Sequence, residues 1–168
     1  MLFLWSTLSP ALLLLFPYVE DLQHVAFVDA MPRSVRRRLI RSYVGTLKRH
    51  LYARGDGRTL LAKNTLAAGR ISSMLEALPD MRVIHLVRDP TRAIPSALSM
   101  FTRPWNAFAP ERAGDSAQTH RLATLLLDYY RRMTELRRVL PPDQYIEVQF
   151  DELTAEPVAT VERIYERL

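Results

Sequence analysis

The chain has 168 residues, enough for one domain with a sizeable core, and its 48% apolar and 24% charged content is ordinary for a globular protein. It contains no cysteine, which excludes disulfides, thiol nucleophiles and thiolate zinc sites. The net charge of +5 suits an anionic partner, but the arginines are dispersed and no basic run marks a nucleic-acid-binding arm. We therefore expect no nucleic-acid partner. The histidines lack metal-ligand spacing, so we expect no metal site either.

The N-terminal segment is strongly apolar. Residues 1–17 lack a basic leader and a small-residue cleavage site, and Pro10 interrupts them. No unbroken apolar run is long enough to span a bilayer. We expect these residues to pack as a helix inside a cytoplasmic protein. A signal peptide, or membrane association through residues 2–16, is the alternative.

Two further elements are expected before the middle of the chain. Residues 32–52 carry an i+4 apolar stripe among arginines and predict a helix whose basic face is either solvated or guides an anionic ligand. Residues 59–62 predict a short buried strand, followed by a helix that Asn64 or Thr65 caps. Lys63 would then lie at the carboxyl end of a strand, where open α/β sheets bind their ligands.

Residues 82–99 read RVIHLVRDPTRAIPSALS and organise the rest of the chain. The apolar run 83–87 predicts a strand buried on both faces of a parallel sheet, with His85 packed inside it. Asp89 is a good helix N-cap and Pro90 favours the first helical position. The apolar spacing from Ile94 to Phe101 predicts the helix that follows.

The turn between this strand and this helix predicts an anion site. Free backbone N–H groups and the positive end of the helix dipole would point out of the turn. Arg88 adds a forked, permanently charged donor, and Ser96 returns to the same face two helical turns after Asp89. The alternative is that Arg88 pairs with a carboxylate and Ser96 is an ordinary helical serine.

The last third of the chain predicts two helices and a strand. Residues 102–116 predict a loop, in which Trp105 and Phe108 either line an apolar acceptor pocket or pin the loop to the core. The apolar periodicity of residues 117–140 predicts a long amphipathic helix. A strand is expected at 145–148, and a final helix near Pro157.

Residues 58–103 closely, and residues 143–168 less closely, resemble the bacterial branch of the sulfotransferases that use 3′-phosphoadenosine 5′-phosphosulfate (PAPS). The resemblance is carried by LAKN at 61–64, GRI at 69–71, LPD at 78–80, RDP at 88–90 with Ser96, FDEL at 150–153, EP at 156–157 and IYE at 164–166.

The resemblance implies a three-layer α/β/α fold with a parallel sheet, of the P-loop NTPase-like sulfotransferase type. It implies sulfuryl transfer from PAPS, without a metal, to a hydroxyl or amine of a small-molecule or glycan acceptor. Arg88 and Ser96 would bind the 3′-phosphate of PAPS, and Lys63 would stabilise charge at the sulfuryl group. Arg70 would reach a phosphate or pair with a carboxylate.

The chain departs from the family pattern in two ways. The position of the family's frequent histidine base is Ala67, so the general base stays unassigned. No loop for the 5′-phosphosulfate precedes Arg82, and the last helix has no C-terminal cap. We therefore expect residues 1–168 to be a single partial domain, weak or inactive alone. The alternative function is a non-catalytic nucleotide-binding remnant or an interaction module.

Overall fold

The structure is a computed structural model that describes residues 10–54, 57 and 59–168. These residues form two compact units. The first contains the described residues up to Leu13 and Tyr18–Pro79, and the second contains Leu14–Pro17 and Asp80–Leu168. Predictions for residues 1–9, which include most of the alternative membrane segment, lie outside the described residues. None of the helices in the described ranges combines the length and the apolar character needed to cross a membrane.

The first unit is helical in its described residues. Its α-helices are α1 (Val19–Ala26), α2 (Arg33–Arg54) and α3 (Ile71–Ala77), with 3-10 turns at Pro10–Leu14, Val28–Ala30 and Ala68–Arg70. Helix α2 confirms the helix expected from residue 32. The helix buries Ile40, which lies beside the predicted stripe, while most of its arginines are exposed. The interpretation of these arginines as a solvated basic face agrees with that exposure.

A residue distant in sequence caps helix α3. The carboxylate of Asp29 accepts hydrogen bonds from the backbone N–H of Ser72 at 3.2 Å and of Ser73 at 2.9 Å, and from the Ser73 hydroxyl. The predicted cap at Asn64 or Thr65 is wrong, because the α-helix begins farther along the chain. Asn64 instead closes a local turn by accepting from the N–H two residues ahead.

Residues 59–62 do not form the predicted strand. They have no regular secondary structure, and Leu61 is 80% exposed. A strand requires a neighbour to complete its hydrogen-bond ladder, and in the described part of the chain only residues 83–87 and 145–149 pair. Lys63 is therefore an exposed residue in an irregular segment and does not follow a strand.

The second unit is an α/β arrangement. Its elements are β1 (Val83–Val87), α4 (Pro90–Phe108), a 3-10 turn (Pro110–Arg112), α5 (Ser116–Val139), β2 (Tyr145–Gln149), α6 (Phe150–Ala155) and α7 (Pro157–Arg167). Strands β1 and β2 pair in parallel, from Val83 opposite Tyr145 to Val87 opposite Gln149. Parallel strands require a long crossover, which α4 and α5 supply. The α/β class and the parallel pairing thus agree with the sequence.

Strand β1 is half-buried on one face and open on the other. Ile84 is 40% exposed and Leu86 is 46% exposed, so the prediction of burial on both faces is wrong. A neighbouring strand pairs along the edge of β1 and covers neither face, and in the described part of the chain no element buries the face that carries Ile84 and Leu86.

Helix α4 continues into the first half of the predicted loop and ends at Phe108. Pro104 removes one backbone donor from the helix, which normally disfavours helical structure. Phe101 and Trp105 lie one helical turn apart and are both buried, at 2% and 1% exposure. Burial of these two rings offsets the missing hydrogen bond, and the loop prediction is therefore wrong as far as Phe108.

Helix α5 supplies much of the buried apolar surface of the second unit. The long helix expected over 117–140 is confirmed, as are the strand near 145 and the helix at Pro157. The buried apolar side chains of α5 are Leu122, Leu125, Leu126, Tyr129, Met133 and Leu136. The short helix α6, which begins directly after β2, was not expected from the sequence.

Candidate anion-binding site

The candidate site lies at the carboxyl end of the two parallel strands. Val87 and Gln149 form the last pair of the sheet, and Arg88 and Phe150 are the next residue on each strand. The guanidinium carbon of Arg88 lies over the Phe150 ring, 4.8 Å from its centroid. This distance is typical of a cation–π contact. The parallel register therefore brings a cation and an aromatic ring together at the sheet edge.

The backbone of Arg88 is also held. The Tyr130 hydroxyl, on α5, donates to the Arg88 carbonyl oxygen at 3.3 Å. This bond satisfies a carbonyl that lies just beyond the last paired residue of β1. Burial raises the pKa of Tyr130, against the opposing effect of the Arg88 charge, so the hydroxyl keeps its proton at neutral pH.

The charge of Arg88 has no counterion among the described residues. Its guanidinium makes no ion pair with them, and its Nε is buried without a hydrogen-bond partner. The residue as a whole is half-buried, so part of it reaches the surface. A partly desolvated cation without a counterion is costly, and an anion bound there would reduce that cost. The alternative pairing of Arg88 with a carboxylate does not occur in the described part of the chain.

The first turn of α4 differs from the expected anion cradle. Asp89 is the N-cap, and its Oδ1 accepts from the Thr91 N–H at 2.8 Å and from the Thr91 hydroxyl at 2.7 Å. These hydrogen bonds hold the pKa of the Asp89 carboxyl below its usual value. The N–H groups of Arg92 and Ala93 donate to the Asp89 carbonyl, and Pro90 has no N–H. The expectation of free backbone donors is therefore wrong, and an anion here would be bound by side chains.

Ser96 is exposed in the second turn of α4, and its role in binding a phosphate stays a prediction. Its hydroxyl makes no hydrogen bond with the described residues. It borders an open groove along the helix with Ser99, Met100, Arg103 and Pro104. The hydroxyl of Ser96 is therefore available to an exogenous acceptor.

The other two predicted site residues belong to the first unit. Lys63 is exposed, and Arg70 is buried, with 6% of its surface accessible. Arg70 directly follows Gly69, whose backbone packs so closely on Ala26 that a Cβ there would lie 2.0 Å from the Ala26 oxygen. The roles assigned to Lys63 and Arg70 stay predictions.

His85 is held within β1. Its Nδ1 lies 2.7 Å from the Tyr145 hydroxyl. Burial lowers the pKa of His85, although the nearby Glu147 carboxylate acts in the opposite direction. His85 is thus half-buried and partnered, in line with the expectation that it packs in the strand. Within the described ranges no three His, Asp or Glu side chains come together as metal ligands would.

Phe150 and Tyr130 are the two site residues that the sequence did not reveal. Each lies far from Arg88 along the chain and meets it only through the fold. A usable signal existed for Phe150, because it follows the second predicted strand as Arg88 follows the first. When two parallel strands end at the same level of the sheet, the residues that follow them are neighbours. No comparable signal marks Tyr130 within the long α5 helix.

The parallel strand–helix unit thus has, at its carboxyl edge, an arginine without a counterion among the described residues. The model of the sulfotransferase family matches residues 16–168, and the chain belongs to this family. The match spans nearly all of the described residues, including both Lys63 and the segment from Arg88 to Ser96.

Two curated relatives are similar to the chain over 111 residues at 27% identity. Both are omega-hydroxy-beta-dihydromenaquinone-9 sulfotransferases named Stf3, one from Mycobacterium bovis (strain ATCC BAA-935 / AF2122/97) and one from Mycobacterium tuberculosis (strain CDC 1551 / Oshkosh). The aligned part covers 66% of this chain but 29% of each relative. The chain therefore matches less than a third of the length of these proteins. No solved structure gives a significant match.

Proposed function

We propose that the chain is part of a sulfotransferase that transfers a sulfuryl group from PAPS to a small-molecule acceptor. Membership of the sulfotransferase family supports the reaction class. The proposal includes a three-layer, P-loop-like α/β/α architecture with residues 1–168 as one partial domain. The parallel pairing of β1 and β2 and the single family match across both compact units support this architecture.

The uncompensated guanidinium of Arg88 is the observation that carries the proposal. A nucleotide with a 3′-phosphate supplies two acceptor oxygens that the planar fork of a guanidinium binds together. Arg88 would bind this phosphate. The buried Nε of Arg88, which has no hydrogen-bond partner among the described residues, supports this assignment. Ser96 would donate its exposed hydroxyl to the same phosphate. PAPS, when bound, supplies the sulfuryl group.

Lys63 and Arg70 complete the proposed set of residues. Lys63, an exposed cation, would stabilise negative charge that develops on the sulfuryl oxygens. Arg70 would contact a donor phosphate once its largely buried side chain is exposed to the ligand. Positioning and charge stabilisation by such side chains are sufficient for the proposed chemistry, and the proposal includes no metal.

The acceptor is proposed to be a hydroxyl group. The relatives' names describe an omega-hydroxy compound, which favours a hydroxyl over an amine and a small molecule over a glycan. No side chain is assigned as the base that removes the hydroxyl proton, because Ala67 stands where the family often has histidine.

Calorimetric titration with adenosine 3′,5′-bisphosphate tests the proposal. We expect saturable binding to the wild type and a loss of roughly 10- to 100-fold in Arg88→Ala, as for removal of a charge-assisted hydrogen-bond donor. Arg92→Ala is the matched control, because Arg92 bears the same charge and is exposed in the first turn of α4, four residues after Arg88. Equal affinities of the Arg88 and Arg92 variants would refute the role of Arg88.

A non-catalytic nucleotide-binding remnant is the second candidate, and Ala67 is the observation that favours it. An interaction module belongs to the same non-catalytic class. Release of adenosine 3′,5′-bisphosphate from PAPS in the presence of hydroxyl acceptors separates the candidates. The decisive protein would also include sequence equivalent to the unmatched parts of the longer relatives. If it binds PAPS without releasing the bisphosphate, the nucleotide-binding remnant is supported.

A further inference from the structure

We propose that Phe150 is a positioning residue for the Arg88 guanidinium, and that Tyr130 fixes the backbone from which this side chain extends. The inference deepens the proposed function, because it rests on Arg88 as the residue that binds the 3′-phosphate. In this arrangement the Phe150 ring orders the Arg88 guanidinium and does not occupy its hydrogen-bond donors.

The backbone of Phe150 is well anchored. Phe150 follows Gln149, which is paired with Val87 in the sheet, and it begins helix α6. Two regular elements thus fix its backbone, and the register fixes its distance from Arg88. The separation of 4.8 Å between guanidinium carbon and ring centroid follows from this arrangement.

Whether Arg88 can bind a phosphate depends on the chemistry of the side chain that contacts its guanidinium. A carboxylate at this place would order the guanidinium but would also neutralise it and occupy its N–H groups. An aromatic ring attracts the cation through its quadrupole and accepts no in-plane hydrogen bond. Stacking on Phe150 therefore orders Arg88 in advance and leaves its charge and its donors for a phosphate.

Ordering the Arg88 side chain before the ligand binds affects the affinity, because arginine has many rotamers. Immobilising such a side chain on binding reduces the affinity, and a contact present before binding removes part of that cost. Tyr130 acts one step further from the ligand. Its hydrogen bond to the Arg88 carbonyl holds the turn at the end of β1, from which the side chain begins.

Two measurements on the same set of variants test this inference. The first uses no ligand and follows the Arg88 Nε–H resonance in nitrogen–proton NMR spectra, assigned with Arg88→Lys. We expect a distinct, exchange-protected resonance in the wild type and in Phe150→Tyr, which keeps the ring. In Phe150→Leu we expect the resonance to move to the position of mobile arginines, because the ring is lost.

The second measurement is the 3′-phosphate preference, defined as the Kd of adenosine 5′-monophosphate divided by the Kd of adenosine 3′,5′-bisphosphate. We expect Phe150→Leu to reduce it by about 2- to 30-fold, the range that one cation–π contact supplies. Phe150→Tyr should restore it, and Tyr130→Phe should reduce it by a few-fold, about the effect of one neutral hydrogen bond. Phe101→Leu is the control, since it removes a buried ring of the same unit that makes no cation–π contact with Arg88 in the described part of the chain.

The outcomes separate this inference from the proposed function. An unchanged Arg88 resonance in folded Phe150→Leu overturns the positioning role, whatever the nucleotide affinities are. The expected resonance changes without any 3′-phosphate preference in the wild type would support the positioning role and refute the proposed function. If Phe150→Leu does not fold, Phe150→Met replaces it, and the same two results decide.

Discussion

The Tyr145 hydroxyl and Nδ1 of His85 lie 2.7 Å apart on the face of β1 and β2 that also carries Glu147. Burial lowers the pKa of His85, and burial together with Glu147 raises the pKa of Tyr145 to about 12. Both groups are therefore neutral near pH 7. The two side chains form a structural hydrogen bond within the sheet. This bond explains how a histidine is accommodated in the apolar strand β1.

This relationship predicts how stability depends on pH. A histidine whose folded pKa lies below its unfolded value takes up its proton more readily when unfolded. Its contribution to stability is therefore complete above pH 6.5 and declines as the pH falls towards the lower folded pKa. Urea unfolding midpoints between pH 8 and pH 5 measure this decline. In His85→Gln we expect a shallower decline, and profiles that superimpose on the wild type would contradict this account of His85.

Removal of the Asp29 carboxylate should destabilise the first unit. Asp29→Ala leaves the N–H groups of Ser72 and Ser73 without their acceptor, at an expected cost of about 1–2 kcal/mol. Asp29→Asn keeps one acceptor oxygen and serves as the matched control, with a smaller loss. Denaturant unfolding checks both variants. Equal losses for alanine and asparagine would show that the cap does not support α3.

Two glycines in the first unit should respond in opposite ways to alanine. A Cβ at Gly69 would lie 2.0 Å from the Ala26 carbonyl oxygen, so Gly69→Ala is expected to cost about 3 kcal/mol or more. Gly45 lies inside α2, and a Cβ there would meet the flexible Arg49 side chain at an ordinary contact distance of 3.6 Å, so Gly45→Ala should gain about 0.5–1 kcal/mol. Thermal unfolding measures both changes. A tolerated Gly69→Ala would refute the close packing at Ala26.

The two aromatic residues near the end of α4 should differ strongly. Trp105 is 1% exposed, so Trp105→Ala is expected to cost about 3–5 kcal/mol. Phe108 is 63% exposed, and Phe108→Ala should change stability by less than about 0.5 kcal/mol. Comparable losses in chemical denaturation would contradict this assignment of Trp105 to the core. If Phe108 contributes to acceptor binding, Phe108→Ala should change activity without changing stability.

The elements that local chemistry specifies could be predicted from the sequence. Asp89 and Pro90 start α4 as expected, because an N-cap and a proline at the first position need no tertiary partner. The long helices and both paired strands were likewise visible as apolar periodicity. Residues 59–62 have suitable strand composition but no pairing partner among the described residues, and composition alone does not supply one.

The parts of the site that depend on tertiary contacts could not be predicted. The Arg88 side chain meets Phe150 through strand register, and its carbonyl meets Tyr130 through packing of α5. The same limit explains Asp29, which caps α3 from a distant segment. The prediction of free N–H groups at the start of α4 is wrong because Asp89, as the N-cap, itself accepts hydrogen bonds from the first turn.

The most direct test of the central claim is the 3′-phosphate preference of the wild type and of Arg88→Ala. The account predicts that the wild type binds adenosine 3′,5′-bisphosphate more tightly than adenosine 5′-monophosphate, because the Arg88 guanidinium has no other counterion among the described residues. It also predicts that Arg88→Ala reduces this preference roughly 10- to 100-fold, with little change for the monophosphate. Equal affinities for the two nucleotides in the folded wild type would contradict the account.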